Sequence, residues 1–583
     1  MSVDVHPIPP AVTAPARLPR LWIGAFLVCL FWAANVAAYR FDLNTPARFF
    51  SRLGAAILLE LALLIWWWSR RRVGWAEKAI GFFTVIGTGV IAAFAVHRSV
   101  GPFGLLMIGL PAVLTTGLAW LYFSRRAPVN VRRLGLLGVV VATWALFTVI
   151  RINGLDGEQR SDVRWRWTPT AEDQFLAERR QSAGESAAPA ADLSPGPGDW
   201  PGFRGPDRDG VVRGLVISTD WSAHPPKELW RHRVGPGWSS VAVVGGRLFT
   251  QEQRGDAEAV VCYDAATGRE VWAHTESGRF EEPVSGAGPR ATPAVAGGRV
   301  FALTAAGKLV ALNGATGESV WSRDAAADAA ASRPQWAFCS SPLVVGNLVV
   351  VLMGGDAGKG LAAYRMDTGA PAWTADVGVG SYTSPQPAAL AGVPQILTLT
   401  DRGVSAVDPA TGAVLWSHAI PLPPGAPRSI QPRAINDHQV LVSSEADLGT
   451  ALIDVSHDSA AWSAERRWQS RDLKPSFNDT VVRDGFAYGF DGHIFCCLDL
   501  ATGKRRWKDG RYGHGQVVLL AEQGLLLVTT ETGDAVLLAA DPAGHRELGR
   551  FRAVEGKTWN HPAVAGGRLY VRNAEELACF ELK

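Results

Sequence analysis

Asp264-Ala-Ala-Thr-Gly-Arg-Glu-Val-Trp272 decides the fold of this chain, because the same pattern returns along the sequence. In each copy a Gly follows a Thr, and a Trp stands five residues after that Thr. The copies are residues 264–272, 313–321, 365–373, 408–416 and 499–507, with a degenerate copy that ends at Trp468. A recurrence at about 43–52 residues predicts a repeat architecture.

Each unit has the pattern of four short strands. An alternating apolar run with a Gly turn, such as residues 293–303, is followed by a short apolar strand, such as residues 309–312. The Thr-Gly hairpin and the Trp-bearing strand complete the unit, and Gly supplies the positive φ that a short hairpin loop needs. About four strands per ~45 residues is the pattern of one β-propeller blade.

Counting the units predicts an all-β, eight-bladed β-propeller over residues 227–583. Seven units begin near the following residues: Ser239, Ala291, Ser340, Thr383, Arg433, Asn478 and Gly515. The eighth unit, residues 560–583, has only three strands, whereas residues 228–234 form a Trp strand that no blade precedes. We expect this segment to close the ring, because closure removes the exposed strand edges of an open array.

The repeated Trp residues are predicted to be structural. We expect them to be buried between neighbouring blades as docking residues: Trp230, Trp272, Trp321, Trp373, Trp416, Trp468 and Trp507. Small residues, including Cys262, Cys497 and Cys579, stand five residues before the repeat Thr or at the equivalent place, and are read as core residues.

The first 151 residues predict an α-helical transmembrane bundle of about five helices. The apolar stretches are residues 21–38, 53–68, 79–96, 103–123 and 134–150, each long enough for a hydrocarbon layer of about 30 Å. This region carries 14 Arg and 1 Lys against 4 acidic residues. The remaining residues carry a net negative charge, so we expect no nucleic acid partner.

Basic residues predict the orientation of the bundle. Ten Lys and Arg precede the first span or lie in the second and fourth connections, against five on the other side. The richer side should be cytoplasmic, which places the propeller in the periplasm of a bacterium with the spans in its inner membrane. Signal-peptide cleavage after Ala38 would leave the same placement. Glu60 is the one acid inside a span, and we interpret it as a protonated or Arg-paired residue facing the bundle interior.

Residues 152–226 are predicted to be a periplasmic linker and lead-in segment. Thr170 and Asp173 are typical of a capped helix start, and residues 181–198 are typical of a flexible tether. Residues 207–210 contain two Asp residues and a Gly, but they lack the further ligands of a calcium loop. We therefore expect an Asp/Gly turn there.

The units that end at Trp272, Trp416 and Trp507 resemble the tryptophan-docking motif of the pyrroloquinoline-quinone (PQQ) β-propeller superfamily. The resemblance covers roughly residues 227–583, and residues 199–210 look like the segment that opens many bacterial members. Some members are quinoprotein dehydrogenases that hold PQQ and Ca²⁺ in the propeller axis. Others are scaffolds without a cofactor, such as the lipoprotein of the outer-membrane β-barrel assembly machinery. The docking motif is structural in both kinds.

The resemblance implies a set of axial candidates for a dehydrogenase. The starts of the innermost strands should surround one funnel with the following residues: Trp238, Arg290, Tyr382, Arg433, Asn478, Asp479, His514, Asn560 and His561. In an enzyme, Asp479 would be the catalytic base, and Asn478 or Asn560 would join it around Ca²⁺. Arg290 or Arg433 would form ion pairs with the quinone carboxylates, and Trp238 would stack on the quinone. The alternative is a polar, water-lined funnel.

Two functions follow from these patterns. The leading hypothesis is a membrane-anchored periplasmic propeller that binds or scaffolds envelope proteins or peptides, with membrane lipid around its spans. The alternative is a dehydrogenase of alcohols or sugars that feeds the membrane quinone pool, as its architecture of five spans and a propeller resembles membrane-bound glucose dehydrogenase. The short units favour the scaffold, because the enzymes have longer propellers. The adjacent Cys496 and Cys497 invite comparison with the enzymes' disulfide, but neighbours in a strand face opposite ways.

Overall fold

The chain was analysed as a computed structural model. The structure describes residues 21–41, 45–71, 73–182, 192–221, 223–356, 358–423, 426–445, 448–458 and 461–582. Arg17, Arg20 and Arg72 of the basic count, and residues 183–191 of the predicted tether, lie outside these ranges. The chain divides into two compact units, Met1–Thr168 and Pro169–Lys583.

The first unit contains the five predicted apolar helices. They are α1 (Leu21–Arg40), α2 (Thr45–Trp68), α3 (Trp75–Ala95), α4 (Gly101–Phe123) and α5 (Val129–Val149). All five are long and apolar enough to cross a membrane. One π-helical turn, Leu105–Gly109, lies within α4. A hairpin of Ile150–Leu155 and Ser161–Trp165 follows α5.

The second unit begins with the short helix predicted near Thr170. Helix α6 spans Ala171–Ser182, and its capping box is complete. The Asp173 N–H donates to Thr170 Oγ1 at 2.9 Å, and the Thr170 N–H donates to Asp173 Oδ2 at 2.8 Å. Glu172 holds this helix against blade 1, because its Oε1 accepts from the Gly255 N–H at 2.8 Å.

Eight antiparallel sheets form the predicted propeller. Blade 1 comprises Ala242–Val244, Arg247–Arg254, Ala257–Asp264 and Glu270–Ser277, and blade 2 comprises Ala294–Ala296, Arg299–Leu303, Lys308–Asn313 and Ser319–Asp324. Blade 3 comprises Leu343–Val345, Leu348–Leu352, Leu361–Arg365 and Pro371–Ala375, and blade 4 comprises Gln386–Leu390, Val393–Thr400, Gly403–Val407 and Val414–His418. Blade 5 comprises Arg433–Asn436, Gln439–Ser444, Gly449–Asp458 and Ala461–Ser470. Blade 6 comprises Val481–Arg483, Phe486–Asp491, Ile494–Asp499 and Arg505–Arg511. Blade 7 comprises Gln516–Leu520, Leu525–Thr529, Asp534–Ala539 and Glu547–Arg552.

Blade 8 confirms the predicted ring closure. Ala563–Ala565, Arg568–Arg572 and Glu576–Glu581 supply three strands, and Lys227–Arg233 supplies the fourth. In this pairing Trp230 lies opposite Cys579, the position that Trp272 takes opposite Cys262 in blade 1. Lys227–Arg233, the first of the blade strands in the sequence, therefore completes the last blade.

The repeat Trp residues lie between blades. A Cβ atom on Gly317, which has φ +76°, would lie 2.6 Å from the Trp272 ring, so only Gly permits this approach. The Trp272 indole N–H then donates to Gly314 O of blade 2 at 2.9 Å. Equivalent bonds to the next blade are made by Trp230, Trp321, Trp373, Trp468 and Trp507. Trp416 instead donates to Gln395 within its own blade, because blade 5 has no Thr-Gly hairpin.

Blade 7 lacks a Trp of its own and borrows one. Gly549 lies opposite Leu537, the place where other blades carry the docking Trp. Trp221 of the lead-in segment covers this Gly, because a Cβ there would lie 2.6 Å from Trp221 Cβ. Trp221 is buried and packs edge-on against Phe551 at 5.4 Å between ring centroids. The lead-in thus completes a blade that the repeat leaves incomplete.

All six cysteines are free thiols. Cys262, Cys496, Cys497 and Cys579 are buried in the blades, as expected for small core residues. Cys496 pairs across the sheet with Gly489 and Cys497 with Tyr488, so the two adjacent side chains occupy opposite faces of one regular strand.

Candidate ligand-binding funnel of the propeller

An axial belt of eight residues surrounds the channel at the start of the innermost strands. Strand register places them at equivalent positions: Ser240, Thr292, Ser341, Ser384, Gln431, Asp479, Gln516 and His561. The backbone N–H of one belt residue donates to the side-chain oxygen of the next blade's residue at Ser240–Thr292 (3.0 Å), Thr292–Ser341 (2.9 Å), Ser341–Ser384 (2.9 Å), Ser384–Gln431 (2.6 Å) and Gln431–Asp479 (2.7 Å). Six blades are therefore joined around the axis by one chain of hydrogen bonds.

The lead-in segment enters the channel and fills it. We call residues 199–212 the axial plug. Trp200 exchanges two backbone hydrogen bonds with Val243 of blade 1 at 2.7 and 2.8 Å. Pro201 O accepts from the Val295 N–H of blade 2 at 2.8 Å. Val211–Val212 then pairs in parallel with the innermost strand of blade 7. The plug thus adds backbone bonds to the innermost strands of blades 1, 2 and 7.

Two plug arginines bind the channel wall. Arg204 is 2% exposed, donates from Nη2 to Thr480 O at 2.8 Å, and lies with Nε 3.6 Å from Asp479 Oδ2. Arg208 is equally enclosed and donates to Pro342 O at 2.8 Å and to Ser341 O at 3.0 Å. Arg433 reaches the plug from blade 5 and donates to Asp209 O at 2.6 Å. The predicted Asp/Gly turn is present here, closed by the Val211 N–H on Asp209 Oδ1 at 3.0 Å.

Burial dominates the electrostatics around the plug. It lowers the pKa of Arg208 to about 9 and that of Arg433 to about 10, and in both cases the nearby Arg204 charge lowers it further. Burial raises the pKa of Asp479, and the charge of Arg204 opposes that rise. Desolvation of His561 lowers its pKa to about 3, so this belt residue is neutral. These arginines hold the plug in the channel, because each guanidinium group donates hydrogen bonds to the channel wall or to the plug backbone.

The other end of the channel is lined by aromatic side chains. The residues two positions before the belt form what we call the rim: Trp238, Arg290, Cys339, Tyr382, Ser429, Phe477, His514 and Trp559. All but His514 are half-buried. The rings of Trp238 and Trp559 lie 5.0 Å apart, and Phe477 lies 5.1 Å from Trp559. On the opposite side of the propeller, the Tyr382 and Trp336 ring centroids lie 5.1 Å apart.

Basic groups accompany the rim aromatics. Lys557 Nζ lies 4.5 Å from the Trp559 ring and 5.1 Å from the Trp238 ring. Arg290 stacks on Phe280 at 4.7 Å and pairs with Glu282 at 3.2 Å. Burial raises the pKa of the Cys339 thiol to about 11, so it is a protonated wall group rather than a nucleophile. An aromatic surface with cations is suited to aromatic, amide or anionic groups.

The sequence-predicted site residues lie in four successive layers rather than around one point. Trp238 and Arg290 belong to the rim, and Asn478 and Asn560 lie one position deeper. Asp479 lies in the belt, and Arg433 lies past it at the plug. Of the other funnel candidates, Tyr382 and His514 are rim residues and His561 is a belt residue. The catalytic and cofactor-binding roles assigned to these residues stay predictions.

The arrangement does not fit a PQQ and Ca²⁺ centre built from these residues. Asp479 already accepts from the Gln431 N–H and faces Arg204. Asn560 Nδ2 donates to Gly237 O and Ser239 O, which leaves its Oδ1 as an oxygen with no hydrogen-bond partner among the described residues. Asn478 Oδ1 accepts from the Ser476 N–H at 3.0 Å. Ca²⁺ requires six to eight converging oxygens. Within the described ranges, no cluster of three His, Cys, Asp or Glu side chains is placed to hold a metal ion.

Sequence reasoning missed the plug arginines and the belt. Arg204 and Arg208 stand in a segment rich in Gly and Pro, which was interpreted only as a lead-in with a turn. The belt residues carry no common motif, because Ser, Thr, Gln and Asp all supply the same acceptor.

Part of the propeller matches a known protein family. Residues 222–337 and 285–509 match the family model described as outer membrane protein assembly factor BamB. No curated protein matches the chain. Among solved structures, BamB from Moraxella catarrhalis is similar at a TM-score of 0.45 and 16% identity, over 61% of this chain and 99% of that one. The quinohemoprotein alcohol dehydrogenase ADHIIG from Pseudomonas putida HK5 is similar at 0.48 and 16%, over 66% and 80%.

Proposed function

We propose that this chain, whose propeller belongs to the PQQ-like β-propeller repeat superfamily, is a membrane-anchored binding and scaffolding module of the cell envelope. Its five apolar helices would hold it in the bacterial inner membrane, and the excess of basic residues on one side of the spans would place the propeller in the periplasm. Its ligands would be segments of envelope proteins or peptides that bind at the rim.

One observation carries this proposal: the chain fills its own axis and leaves the rim half-buried. The plug contacts innermost strands from several blades, and Arg204 engages the one belt carboxylate. The accessible end presents Trp238 and Trp559 beside Lys557, and Tyr382 on the opposite side of the ring. Aromatic and cationic side chains are typical of the anchor positions of protein interfaces. The family model's own description, an assembly factor, supports the same kind of role.

The first experiment separates a binding module from a dehydrogenase. Purified protein is mixed with PQQ and Ca²⁺, and both cofactor binding and dye-linked oxidation of alcohols and sugars are measured. A scaffold should show neither saturable binding nor turnover. Saturable binding with turnover would establish the dehydrogenase and overturn the proposal.

The second experiment tests the rim directly. A photo-crosslinking amino acid replaces Tyr382 or Ser429 on the rim, and Val414 on the exposed outer strand of blade 4 serves as the matched control. We expect defined cross-links to polypeptides in living cells from the two rim positions and none from Val414. Equal cross-linking from all three positions would remove the rim as the binding surface.

A third experiment tests the placement of the propeller. A reporter that is active only in the periplasm should work when it follows Lys583 and fail in the connection of residues 70–78. The reverse pattern would overturn the orientation.

A further inference from the structure

The helical unit contains a partly open cavity that the propeller's role does not use. Its volume is about 360 Å³, at the lower end of small-molecule sites. Helices α2, α3, α4 and α5 line it, with Phe82 and Val85 from α3, Leu114 and Gly117 from α4 and Leu136 from α5. The wall is apolar apart from residues of α2.

Helix α2 places two unpartnered polar atoms in that wall. Glu60 and Trp66 both line the cavity, and neither Glu60 Oε1 nor the Trp66 indole Nε1 has a hydrogen-bond partner among the described residues. Both atoms are shielded from solvent. A carboxyl group within a span costs roughly 2.5–3.5 kcal/mol on insertion scales, so an unpaired one is typical of a functional position.

The cavity borders the outer surface of the helices. Ile57, Leu61 and Leu64 line it and are also 42%, 50% and 41% exposed. In a bilayer this surface faces acyl chains, so a ligand can enter from the lipid with its tail left between these residues.

We propose that the cavity binds a lipophilic alcohol, whose hydroxyl group meets Glu60 while its apolar body fills the space. A hydroxyl donates to a carboxylate and accepts from a protonated carboxyl group, so it matches the Glu60 side chain in either state. An ammonium group accepts nothing, and a fatty acid or phospholipid would bring a negative charge to a carboxylate. The hydroxyl can come from an isoprenoid alcohol or from a reduced quinone of the membrane. The proposal rests on the membrane insertion proposed above, and not on the role of the propeller.

Binding is measured with the full chain in phospholipid nanodiscs. The probes are radiolabelled farnesol, farnesyl methyl ether, farnesylamine and a short-chain ubiquinol. Farnesol should bind saturably, and the ether should bind about 10-fold to 100-fold more weakly, because it cannot donate. Tighter binding of ubiquinol than of farnesol, with the same dependence on Glu60, would identify the quinol as the source of the hydroxyl. Tighter binding of farnesol would identify the isoprenoid alcohol.

Variants locate the binding site. Glu60→Leu should weaken farnesol binding about 10-fold or more, whereas Glu60→Gln, which can still accept and donate, should restore most of it. Gly117→Leu should fill the cavity and abolish binding, because Gly117 lines it and has only Leu136 within 4 Å of an added Cβ. Gly138→Leu, at a position in α5 with open space around it, is the matched control.

Three outcomes would overturn the proposal. The first is binding of the ether as tight as that of the alcohol, the second is wild-type affinity in Glu60→Leu, and the third is tighter binding of farnesylamine than of farnesol. The first would show simple occupation by acyl chains, the second would exclude the carboxyl group, and the third would assign the cavity to cations. Failure of the chain to enter nanodiscs would instead contradict the proposed membrane insertion, so the two failures are distinguishable.

Discussion

The two ends of the propeller channel use their side chains differently. At the plugged end, Arg204, Arg208 and Asp479 are enclosed and hold the channel wall. At the rim, Trp238 and Tyr382 are half-buried, and each packs against another aromatic ring. The first end is occupied by the chain itself, whereas the second leaves apolar and cationic side chains half-buried. The difference teaches that polar residues near an axis are not by themselves a cofactor site.

The largest expected effect comes from the plugged end. Asp479→Ala should lower the free energy of unfolding by about 3–5 kcal/mol, because it leaves Arg204 buried and unpaired and removes a belt acceptor. Denaturant unfolding measures the change. The matched control, Asp376→Ala, breaks the exposed pair with Arg402 and should cost less than about 1 kcal/mol. Equal losses would mean that the plug does not fasten the channel.

The second prediction concerns the Trp that the lead-in lends to blade 7. Trp221→Ala should cost on the order of 3 kcal/mol, as truncation of a buried Trp does, and should match Trp321→Ala in a regular blade. Thermal melting of the propeller measures both. Trp22→Ala, 65% exposed on α1, should leave that melting unchanged. A silent Trp221 variant would show that blade 7 is stable without the borrowed ring.

The third prediction concerns the pH dependence of stability at a buried carboxyl group in blade 1. Burial raises the pKa of Glu258 in blade 1 to about 7 from a usual value of 4.5. A raised pKa means that the folded state binds the proton more tightly, so this stabilisation is full below about pH 4.5 and is lost as the pH rises through 7. Relative to Glu258→Gln, the wild type should lose roughly 2–3 kcal/mol between pH 5 and pH 8. Parallel profiles of the two proteins would refute the assignment.

The smallest effect on stability is expected at the rim. Tyr382→Ala should cost about 0.5–1.5 kcal/mol, the usual worth of an aromatic pair, because it removes the contact with Trp336. Thermal melting measures this change beside Asp479→Ala. A loss of stability as large as that of Asp479→Ala would show that the rim stabilises the propeller as much as the plugged end does.

The fold was predictable because its signals are repeated. The Thr-Gly hairpin and the Trp five residues later recur, so one irregular copy does not hide the period. The missing strand of the eighth unit similarly indicated where Lys227–Arg233 belongs. Trp221 could not be placed, because it lies outside the repeat and its position is marked only by a Gly in blade 7.

The site was less predictable, because its residues are defined by depth along the axis. Sequence places Trp238, Asn478 and Asp479 near one funnel, but the layers differ by single residues. A shift of one position decides whether a side chain faces the rim or the belt. The sequence makes Asp479 a candidate base, but it does not show that this residue lies opposite Arg204, because nothing in the sequence links residues 275 positions apart.

Ring closure has a consequence for how the chain is made. Lys227–Arg233 leaves the ribosome early, yet its partner strand contains Glu576, which lies 345 residues beyond Arg231. At about 5–20 residues per second the early strand waits roughly 20–70 s for that partner. During this interval its edge and the docking face of Trp230 are open to other chains. The propeller ring can therefore close only after its last strand has been synthesised.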